Sequence, residues 1–317
     1  MKHGGDIYRN QVKLDYSVNV NPLGIPESVR DVLFQSVDRC DVYPDYRADA
    51  LRQALANYHG VSSEQILCGN GASELFMAIG HAYRPRRVLL PVPSYAGYRW
   101  MLQAIEAEPV FYYMKAECGY HLDAGILSVI EEEEADMLIL ANPNNPVGNY
   151  IDRALLTAIL EACAKKKIRV ILDECFMELS DEPKRNTRIQ EADTWEHLLI
   201  VRAFTKSYAM PALRLGYVVG NRKAQDDLNR ILQQLPEWNV SLPAQMAGTA
   251  ALQEREFLQR ARVLIHEERI KMVDTLKELG LQTYPSNANY LLFYSEYPLY
   301  RRLLEERILI RDCQDYP

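Results

Sequence analysis

Seven short apolar runs alternate with amphipathic stretches through the first two thirds of the chain. The amphipathic stretches cover residues 73–83, 95–106, 122–133 and 152–166. Fully apolar strands that alternate with helices are typical of a parallel sheet covered on both faces. The pattern therefore predicts an α/β fold with a mostly parallel seven-stranded sheet covered by helices. The seven predicted strands are residues 66–68, 88–90, 110–114, 137–141, 170–172, 198–201 and 215–219.

The two ends of the chain have different patterns. Glycine, proline and asparagine are frequent in residues 1–45, which predicts an extended arm with turns. Residues 242–280 read as one or two long helices. Short strands at 283–284, 289–293 and 308–310, around a helix at 296–306, predict a smaller α+β layer. We therefore expect a large domain over residues 46–235 and a small domain formed by residues 236–317 together with the arm.

Composition and charge narrow the class of protein. The net charge of -7 and the absence of a long basic run argue against a nucleic-acid or anionic-membrane surface. No segment is long and apolar enough to span a bilayer, and the first residues lack the apolar core of a signal peptide. The six cysteines lie far apart without a C-x-x-C pair, which is typical of reduced thiols rather than of disulfides or a metal site. These features predict a soluble cytoplasmic protein.

Candidate chemistry follows the predicted strands, because ligands of open α/β sheets bind at the carboxyl ends of the strands. After the first run, GNGASE (residues 69–74) includes Gly71, Ala72 and Ser73 at the start of a helix. Backbone N–H groups at such a start can bind a phosphate. The loop departs from the G-x-G-x-x-G dinucleotide pattern, and a glycine turn into a helix is also common for purely structural reasons.

Three further strand ends carry polar or aromatic residues. Tyr95 follows the second run, and its ring could stack on a planar ligand or belong to the core. The segment NPNNPVG, with Asn145 inside it, predicts a rigid turn whose amides point into a cleft. Asp173 ends the fifth run, where a carboxylate either caps a helix or pairs with a buried cation.

The segment VRAFTKSYAMPALRLGY (residues 201–217) concentrates the chemistry of the chain. Thr205 and Lys206 follow the sixth run, and Arg214 comes eight residues after the lysine. A buried lysine amine readily becomes a neutral nucleophile, and an arginine suits a phosphate. A solvated lysine and an arginine paired with a carboxylate are the structural alternatives. Together with the other strand ends, the segment matches the needs of pyridoxal 5'-phosphate (PLP): a lysine, a carboxylate and phosphate donors.

The motifs resemble those of the fold-type I PLP enzymes, in particular the class I/II aminotransferase family. The resemblance covers nearly the whole chain. Within the family, the chain looks most like L-threonine O-3-phosphate decarboxylases of cobalamin biosynthesis, followed by histidinol-phosphate aminotransferases. The motifs that carry this resemblance are HGGD, SVNVNPLG, YPDY, GNGASE, NPNNPVG, DECF, TKSYAMPALRLGY and ILIRDC.

The resemblance implies a role for each candidate residue. Lys206 bonds to the cofactor's aldehyde, and Asp173 keeps the pyridine nitrogen protonated. Tyr95 stacks on the ring, and Asn145 bonds to the ring hydroxyl. The phosphate ligands are Gly71, Ala72, Ser73, Thr205, Arg214 and, from the neighbouring subunit of a homodimer, Tyr43. The residues expected near the substrate, a small phosphorylated amino acid, are His3, Asn21, Gly24 and Arg311.

Three departures from the family pattern affect these expectations. Ala203 stands where many relatives have a hydroxyl that binds the phosphate, and Phe176 stands where aminotransferases have a tyrosine bonded to the ring hydroxyl. Asn145 would then orient that hydroxyl alone. No residue after Cys313 matches the arginine with which relatives grip the substrate's α-carboxylate, so we expect a truncated small domain.

Several functions remain compatible with the sequence. The first is PLP-dependent decarboxylation of L-threonine O-3-phosphate to (R)-1-amino-2-propanol O-2-phosphate, and the second is transamination of histidinol phosphate or a similar amino acid. Both use the same residues. A PLP-binding protein without catalysis is a third possibility. A nucleotide-binding α/β protein is a fourth, and the absence of G-x-G-x-x-G argues against it.

Overall fold

The computed structural model describes residues 4–314 and residue 316 of the chain. Within these residues the strands are β1 (Leu14–Asp15), β2 (Ile66–Gly69), β3 (Arg87–Val92), β4 (Glu108–Tyr113), β5 (Met137–Ala141), β6 (Arg169–Asp173), β7 (Leu198–Ala203), β8 (Gly216–Val219), β9 (Gln282–Thr283), β10 (Phe293–Tyr294) and β11 (Ile308–Leu309). The α-helices are α1 (Glu27–Val37), α2 (Asp49–His59), α3 (Ala72–Tyr83), α4 (Ala96–Ala104), α5 (Gly125–Glu132), α6 (Arg153–Lys166), α7 (Pro183–Asn186), α8 (Phe204–Ser207), α9 (Gln225–Leu232), α10 (Leu242–Ala251), α11 (Arg255–Glu278) and α12 (Leu299–Glu305).

A seven-stranded sheet organises the molecule, with strand order β2-β8-β7-β6-β5-β3-β4. The neighbours β7, β6, β5, β3 and β4 pair in parallel, and β8 is antiparallel to both β2 and β7. The prediction of an α/β fold with a mostly parallel seven-stranded sheet is confirmed. Strands β2, β3, β5, β6 and β7 all end at one edge of this sheet, and β8 begins there.

The central strands β5, β6 and β7 are mostly apolar because both faces of the sheet are buried, and their charged residues are Arg169, Asp173 and Arg202. In β5, Leu138 and Leu140 pack into the core on one face, and Met137 and Ile139 pack into the core on the other. Successive side chains of a strand point to opposite faces, so both sets of side chains are buried in a strand that is covered on both sides, and apolar residues are favoured. The unbroken apolar runs in the sequence therefore reflect this double burial.

The chain ends form two small two-stranded sheets. The first pairs β1 with β11 in parallel, and the second pairs β9 with β10 in antiparallel orientation. The arm and the C-terminal segment therefore share a sheet, as expected if the arm belongs to the small domain. The division at residues 45 and 235 itself stays a prediction. No helix in the described part of the chain combines the length and the apolar character needed to cross a membrane.

Two predicted elements are wrong. The arm is not irregular throughout, because α1 forms in it, buries Val29 and packs against α10. The strand predicted at residues 289–293 reduces to Phe293 in β10, because the ladder with β9 begins only there, and the side chains of Asn289 and Tyr290 bond to other segments. Asn289 Nδ2 donates to the carbonyl of Asn19 at 3.0 Å, and the Tyr290 hydroxyl donates to the carbonyl of Asn144 at 2.7 Å.

Candidate active site

Lys206 lies in α8, three residues after the end of β7, on the wall of a cavity of about 1500 Å³. Its Nζ lies 5.5 Å from the centre of the Phe176 ring. Burial lowers the pKa of the Lys206 amine, the Cys175 thiol opposes this effect, and the positive charge of Arg214 adds to it. A lowered pKa increases the fraction of neutral, nucleophilic amine, so the solvated-lysine alternative does not fit this position.

Asp173 is the last residue of β6 and lines the same cavity. Its Oδ2 accepts a hydrogen bond from the Tyr98 hydroxyl at 2.5 Å, and its Oδ1 accepts one from the Cys175 N–H at 2.9 Å. Desolvation raises the pKa of Asp173, and the bonds from Cys175 and Tyr98 oppose that rise. A partly buried carboxylate of this kind is suited to bind a cation or a protonated ring nitrogen.

The glycine loop and Arg214 form a cradle for an anion. Gly71 precedes α3 with φ +84°, and a Cβ added there would lie 2.6 Å from Arg214 Nη2. A Cβ at Gly216 would lie 2.8 Å from the Ala72 nitrogen, so the two backbones also approach closely. The first N–H groups of a helix lack intrahelical partners and attract negative charge. The cavity wall next to this cradle includes Ala72, Ser73, Thr205 and Arg214.

Tyr95 and Asn145 complete the predicted set of cavity residues. Tyr95 follows β3 and precedes α4, and burial raises the pKa of its hydroxyl while a hydrogen bond with Ser73 opposes the rise. Asn145 lies on the cavity wall. The neighbouring Asn144 supports the turn instead, through backbone hydrogen bonds with Asn149 and Gly148. Asn144 Nδ2 donates to the carbonyl of Pro93 at 3.2 Å, which joins this turn to the end of β3.

Of the described residues predicted to bind the substrate, only Arg311 lies on the wall of this cavity. The Asn21 side chain is buried and instead fastens the arm to the lysine turn: its Nδ2 donates to the carbonyl of Ser207 at 2.7 Å, and its Oδ1 accepts from the Leu23 N–H. Gly24, with φ +75°, lies in the arm in a turn with Asn21. Its N–H donates to the Asn21 carbonyl. His3 lies outside the described residues.

Tyr43 is 78% exposed and packs on Trp238, with ring centres 4.8 Å apart. It is not one of the residues that line the cavity of its own chain within the described part. A role at the site of a neighbouring subunit is compatible with this position and stays a prediction.

Two features next to the site, Tyr98 and the ion pair between Arg202 and Glu174, were not predicted from the sequence. Tyr98, the partner of Asp173, follows Tyr95 by three residues, a spacing that places both on one side of α4. Arg202 in β7 donates from Nη2 to Glu174 Oε2 at 2.6 Å, and both side chains are almost completely buried. The signal for this ion pair was a charged residue in an otherwise apolar run, because a buried charge requires a partner.

The residues of the cavity fit PLP. The cradle of bare glycine backbone, helix N-terminus and Arg214 supplies donors for a phosphate, and filling it with a Cβ would displace the arginine. The amine of Lys206 has a lowered pKa, as a reaction with an aldehyde requires, and Asp173 supplies a carboxylate for a ring nitrogen. The arrangement defines an α/β enzyme of the PLP transferase type.

The aminotransferase class I and II family model matches residues 11–316. The chain belongs to this family.

Similar proteins include enzymes of both kinds considered from the sequence, decarboxylases and aminotransferases. The threonine-phosphate decarboxylase of Salmonella typhimurium is 37% identical over 96% of this chain and 83% of its own. The crystal structure of a histidinol-phosphate aminotransferase from Clostridium acetobutylicum is similar with a TM-score of 0.88 and 30% identity, covering 95% of this chain and 90% of that chain. An L-threonine-O-3-phosphate decarboxylase structure from Porphyromonas gingivalis gives a TM-score of 0.84 and 25% identity, covering 96% and 90%.

These findings confirm the predicted family, the fold, the class of PLP-dependent enzyme and the cofactor. The names of these relatives refer to phosphorylated substrates, threonine phosphate and histidinol phosphate. The individual site residues stay predictions, which the geometry supports as described above.

Proposed function

We propose that this chain catalyses the PLP-dependent decarboxylation of L-threonine O-3-phosphate to (R)-1-amino-2-propanol O-2-phosphate. The observation that carries the proposal is the cavity shared by Lys206, Asp173 and the Arg214 cradle, in a chain 37% identical to a threonine-phosphate decarboxylase over 96% of its length. Bound PLP supplies an aldehyde for the substrate's amine and a protonated ring that accepts the electron pair released at Cα.

The residues of the chain have separate roles in binding the cofactor and in proton transfer. Lys206 would hold the cofactor through its amine, and its lowered pKa favours the neutral, nucleophilic form that this requires. Asp173 would hold the proton on the ring nitrogen. Arg214 and the start of α3 would bind the cofactor's phosphate, and Tyr95, on the wall of the same cavity, would supply a ring to stack on the cofactor's ring. After carbon dioxide leaves, Lys206 or a water molecule delivers a proton to Cα.

Transamination is the second candidate. It is favoured by the histidinol-phosphate aminotransferases among the relatives, such as one from Ruminiclostridium cellulolyticum that is 30% identical over 97% of this chain and 85% of its own. In that reaction Lys206 removes the Cα proton instead of supplying one. Phe176 weakens this candidate, because it replaces the tyrosine expected in aminotransferases with a ring that has no hydroxyl.

One assay separates the two reactions. The purified protein is incubated with PLP and L-threonine O-3-phosphate, and in parallel with histidinol phosphate and a 2-oxo acid acceptor. We expect carbon dioxide from the first mixture and little amino transfer in the second. Amino transfer without release of carbon dioxide would identify the chain as an aminotransferase, and neither product would indicate a PLP-binding protein without catalysis.

We further propose that the enzyme is a cytoplasmic homodimer in which Tyr43 reaches the phosphate of the neighbouring subunit's cofactor. Three aromatic side chains around the arm, Tyr43, Tyr46 and Trp238, pack together and remain 78%, 45% and 41% exposed. Exposed aromatic clusters of this kind mark interaction surfaces. The six cysteines are all free, which suits a reducing compartment.

A further inference from the structure

Tyr98 is a buried tyrosine whose hydroxyl is committed to one acceptor. It lies in α4 with no exposed surface, and its hydroxyl donates to Asp173 Oδ2 at 2.5 Å. Hydrogen bonds to an ionised oxygen are short and roughly twice as strong as those between neutral groups. The distance lies in the range of a strong hydrogen bond to a carboxylate.

The bond leaves Asp173 free to bind a cofactor. Each carboxylate oxygen has two lone-pair sites. Tyr98 uses one on Oδ2, the Cys175 N–H uses one on Oδ1, and the Cys175 thiol also bonds to the carboxylate. Tyr98 and Cys175 fix the plane of the carboxylate from the protein side. The remaining site can face the cavity that Asp173 lines.

Packing fixes the position of the Tyr98 ring. The rings of Phe76 and Tyr95 meet it edge to face, with centres 5.3 Å and 5.4 Å away and interplanar angles of 81° and 87°. Edge-to-face contacts are the favoured geometry for aromatic pairs. Tyr98 thus contacts both of the groups that the proposed function places around the pyridine ring, Asp173 through its hydroxyl and Tyr95 through its ring.

We propose that Tyr98 is a positioning residue whose hydroxyl keeps Asp173 ionised and oriented toward the ring nitrogen of PLP. The inference rests on the proposed function, because it requires that Asp173 binds that nitrogen. Desolvation alone raises the pKa of Asp173, which favours a neutral carboxyl that cannot hold the ring's proton. The Tyr98 bond opposes this rise and so maintains the charged form in a partly dry site.

A purely structural role for Tyr98 makes a different prediction. Buried tyrosine hydroxyls need a partner, and loss of such a bond then affects stability alone. Tyr112 in β4 offers a matched control, since its hydroxyl also donates to an aspartate, Asp123 Oδ1, at 2.5 Å, and this exposed bond lies outside the cavity. Removing the hydroxyl at each position with Tyr98→Phe and Tyr112→Phe deletes the same kind of bond inside and outside the site.

The test measures the Kd of the apo-protein for PLP across pH, together with thermal unfolding, in the parent and three variants. We expect Tyr98→Phe to weaken PLP binding by about tenfold at neutral pH. As the pH falls, the PLP affinity of Tyr98→Phe should also begin to decrease at a higher pH than that of the parent. Without the Tyr98 bond, Asp173 keeps its proton up to a higher pH. Tyr112→Phe should leave both properties unchanged. Asp173→Asn should weaken binding and remove the part of the acid-side dependence that comes from Asp173, while the part that comes from the Lys206 amine remains.

The three variants separate failure of the inference from failure of the proposed function. If Asp173→Asn binds PLP as the parent does, Asp173 does not bind the ring and the proposed site is wrong. If Asp173→Asn is impaired but Tyr98→Phe behaves like Tyr112→Phe, the role of Tyr98 is overturned and the site stands.

A second substitution keeps the inference testable if Tyr98→Phe fails to fold. A fluorotyrosine placed at position 98 retains the hydroxyl and strengthens it as a donor. The acid-side loss of PLP affinity should then move to lower pH, opposite to the shift in Tyr98→Phe. An unchanged pH dependence with the fluorotyrosine would overturn the role of Tyr98, because a structural bond has no reason to change it.

Discussion

At the scale of single residues, the state of the Lys206 amine controls how the protein captures its cofactor. Burial lowers its pKa below that of an ordinary lysine, and Arg214 contributes to the lowering. Only the neutral amine attacks an aldehyde, and a lower pKa means that the neutral form appears at lower pH. The pH dependence of cofactor capture therefore reports directly on the site.

We predict that the rate of covalent PLP capture by the apo-protein rises with pH around a midpoint below the pKa of a free lysine side chain. Stopped-flow absorbance measures this rate across pH. Arg214→Gln should move the midpoint upward, because it removes one positive charge that disfavours the protonated amine. A midpoint equal to that of free lysine would show that burial does not tune Lys206.

The close approach of Gly71 and Arg214 gives a second prediction at this scale. Gly71→Ala places a Cβ where Arg214 Nη2 lies 2.6 Å away, whereas Gly60→Ala, also at positive φ, meets nothing within 4 Å. Both changes cost about 1 kcal/mol or more of backbone strain. Only Gly71→Ala should also weaken PLP binding, by about tenfold. Equal PLP affinities of the two variants would show that the cradle does not bind the phosphate.

The sequence identified the reactive residues better than their supports. Lys206, Asp173 and Arg214 could be inferred because each lies at or near the end of a predicted strand and carries its chemistry in its side chain. Tyr98 could not be distinguished among 20 tyrosines, since its role depends on a contact with a residue 75 positions away. Asn21 was placed near the substrate, whereas its amide binds the backbone of the lysine turn.

At the scale of elements, a buried ion pair fastens β6 to β7 beside the site. Arg202 in β7 donates to Glu174, which directly follows β6, and the side chains are 4% and 0% exposed. Thr187 also donates to Glu174 Oε2, and the Arg188 N–H donates to Oε1. A buried charge left without its partner is costly, so this network holds the strand ends that carry Asp173 and Lys206 in register.

We predict that Arg202→Met lowers the free energy of unfolding by about 3–5 kcal/mol, because it leaves the buried Glu174 carboxylate, and that of Glu178, without their cationic partner. Arg222→Met removes an exposed pair with Asp193, whose side chains are 58% and 43% exposed, and should cost about 0–1 kcal/mol. Urea unfolding of the apo-proteins measures both. Similar values for the two variants would mean that the buried pair does not hold these strand ends.

The elements also show where pattern reading fails. Most strands of the main sheet were predictable because double burial makes their central positions an unbroken apolar run, whereas the edge strand β4 is partly exposed. Helix α1 was missed because glycine and proline precede it and its own pattern is mostly polar, while its stability comes from packing against α10. Such a contact between distant segments leaves no local signature in the sequence.

At the scale of the whole molecule, the exposed aromatic cluster on the arm suggests a second subunit. The rings of Tyr43 and Trp238 pack at a tilt of 37°, with centres 4.8 Å apart, while Tyr43 keeps 78% of its surface exposed. A homodimer would cover this surface and bring Tyr43 to the neighbouring phosphate.

We predict that the protein sediments as a dimer at micromolar concentration. Tyr43→Phe should keep the dimer but weaken PLP binding by about tenfold, because it removes a hydroxyl that donates to a charged phosphate. Tyr113, 67% exposed on β4, provides the control, and Tyr113→Phe should change nothing. A monomer in sedimentation, or equal PLP affinities of the two variants, would contradict the shared site.

The most direct test of the central claim is the position of the covalent bond to the cofactor. The holo-protein should be yellow, and borohydride reduction followed by peptide mapping should place the PLP label on Lys206. Lys206→Ala should lose both the colour and the label. Labelling of Lys165 or Lys223, or of no lysine at all, would contradict the assignment of the active site.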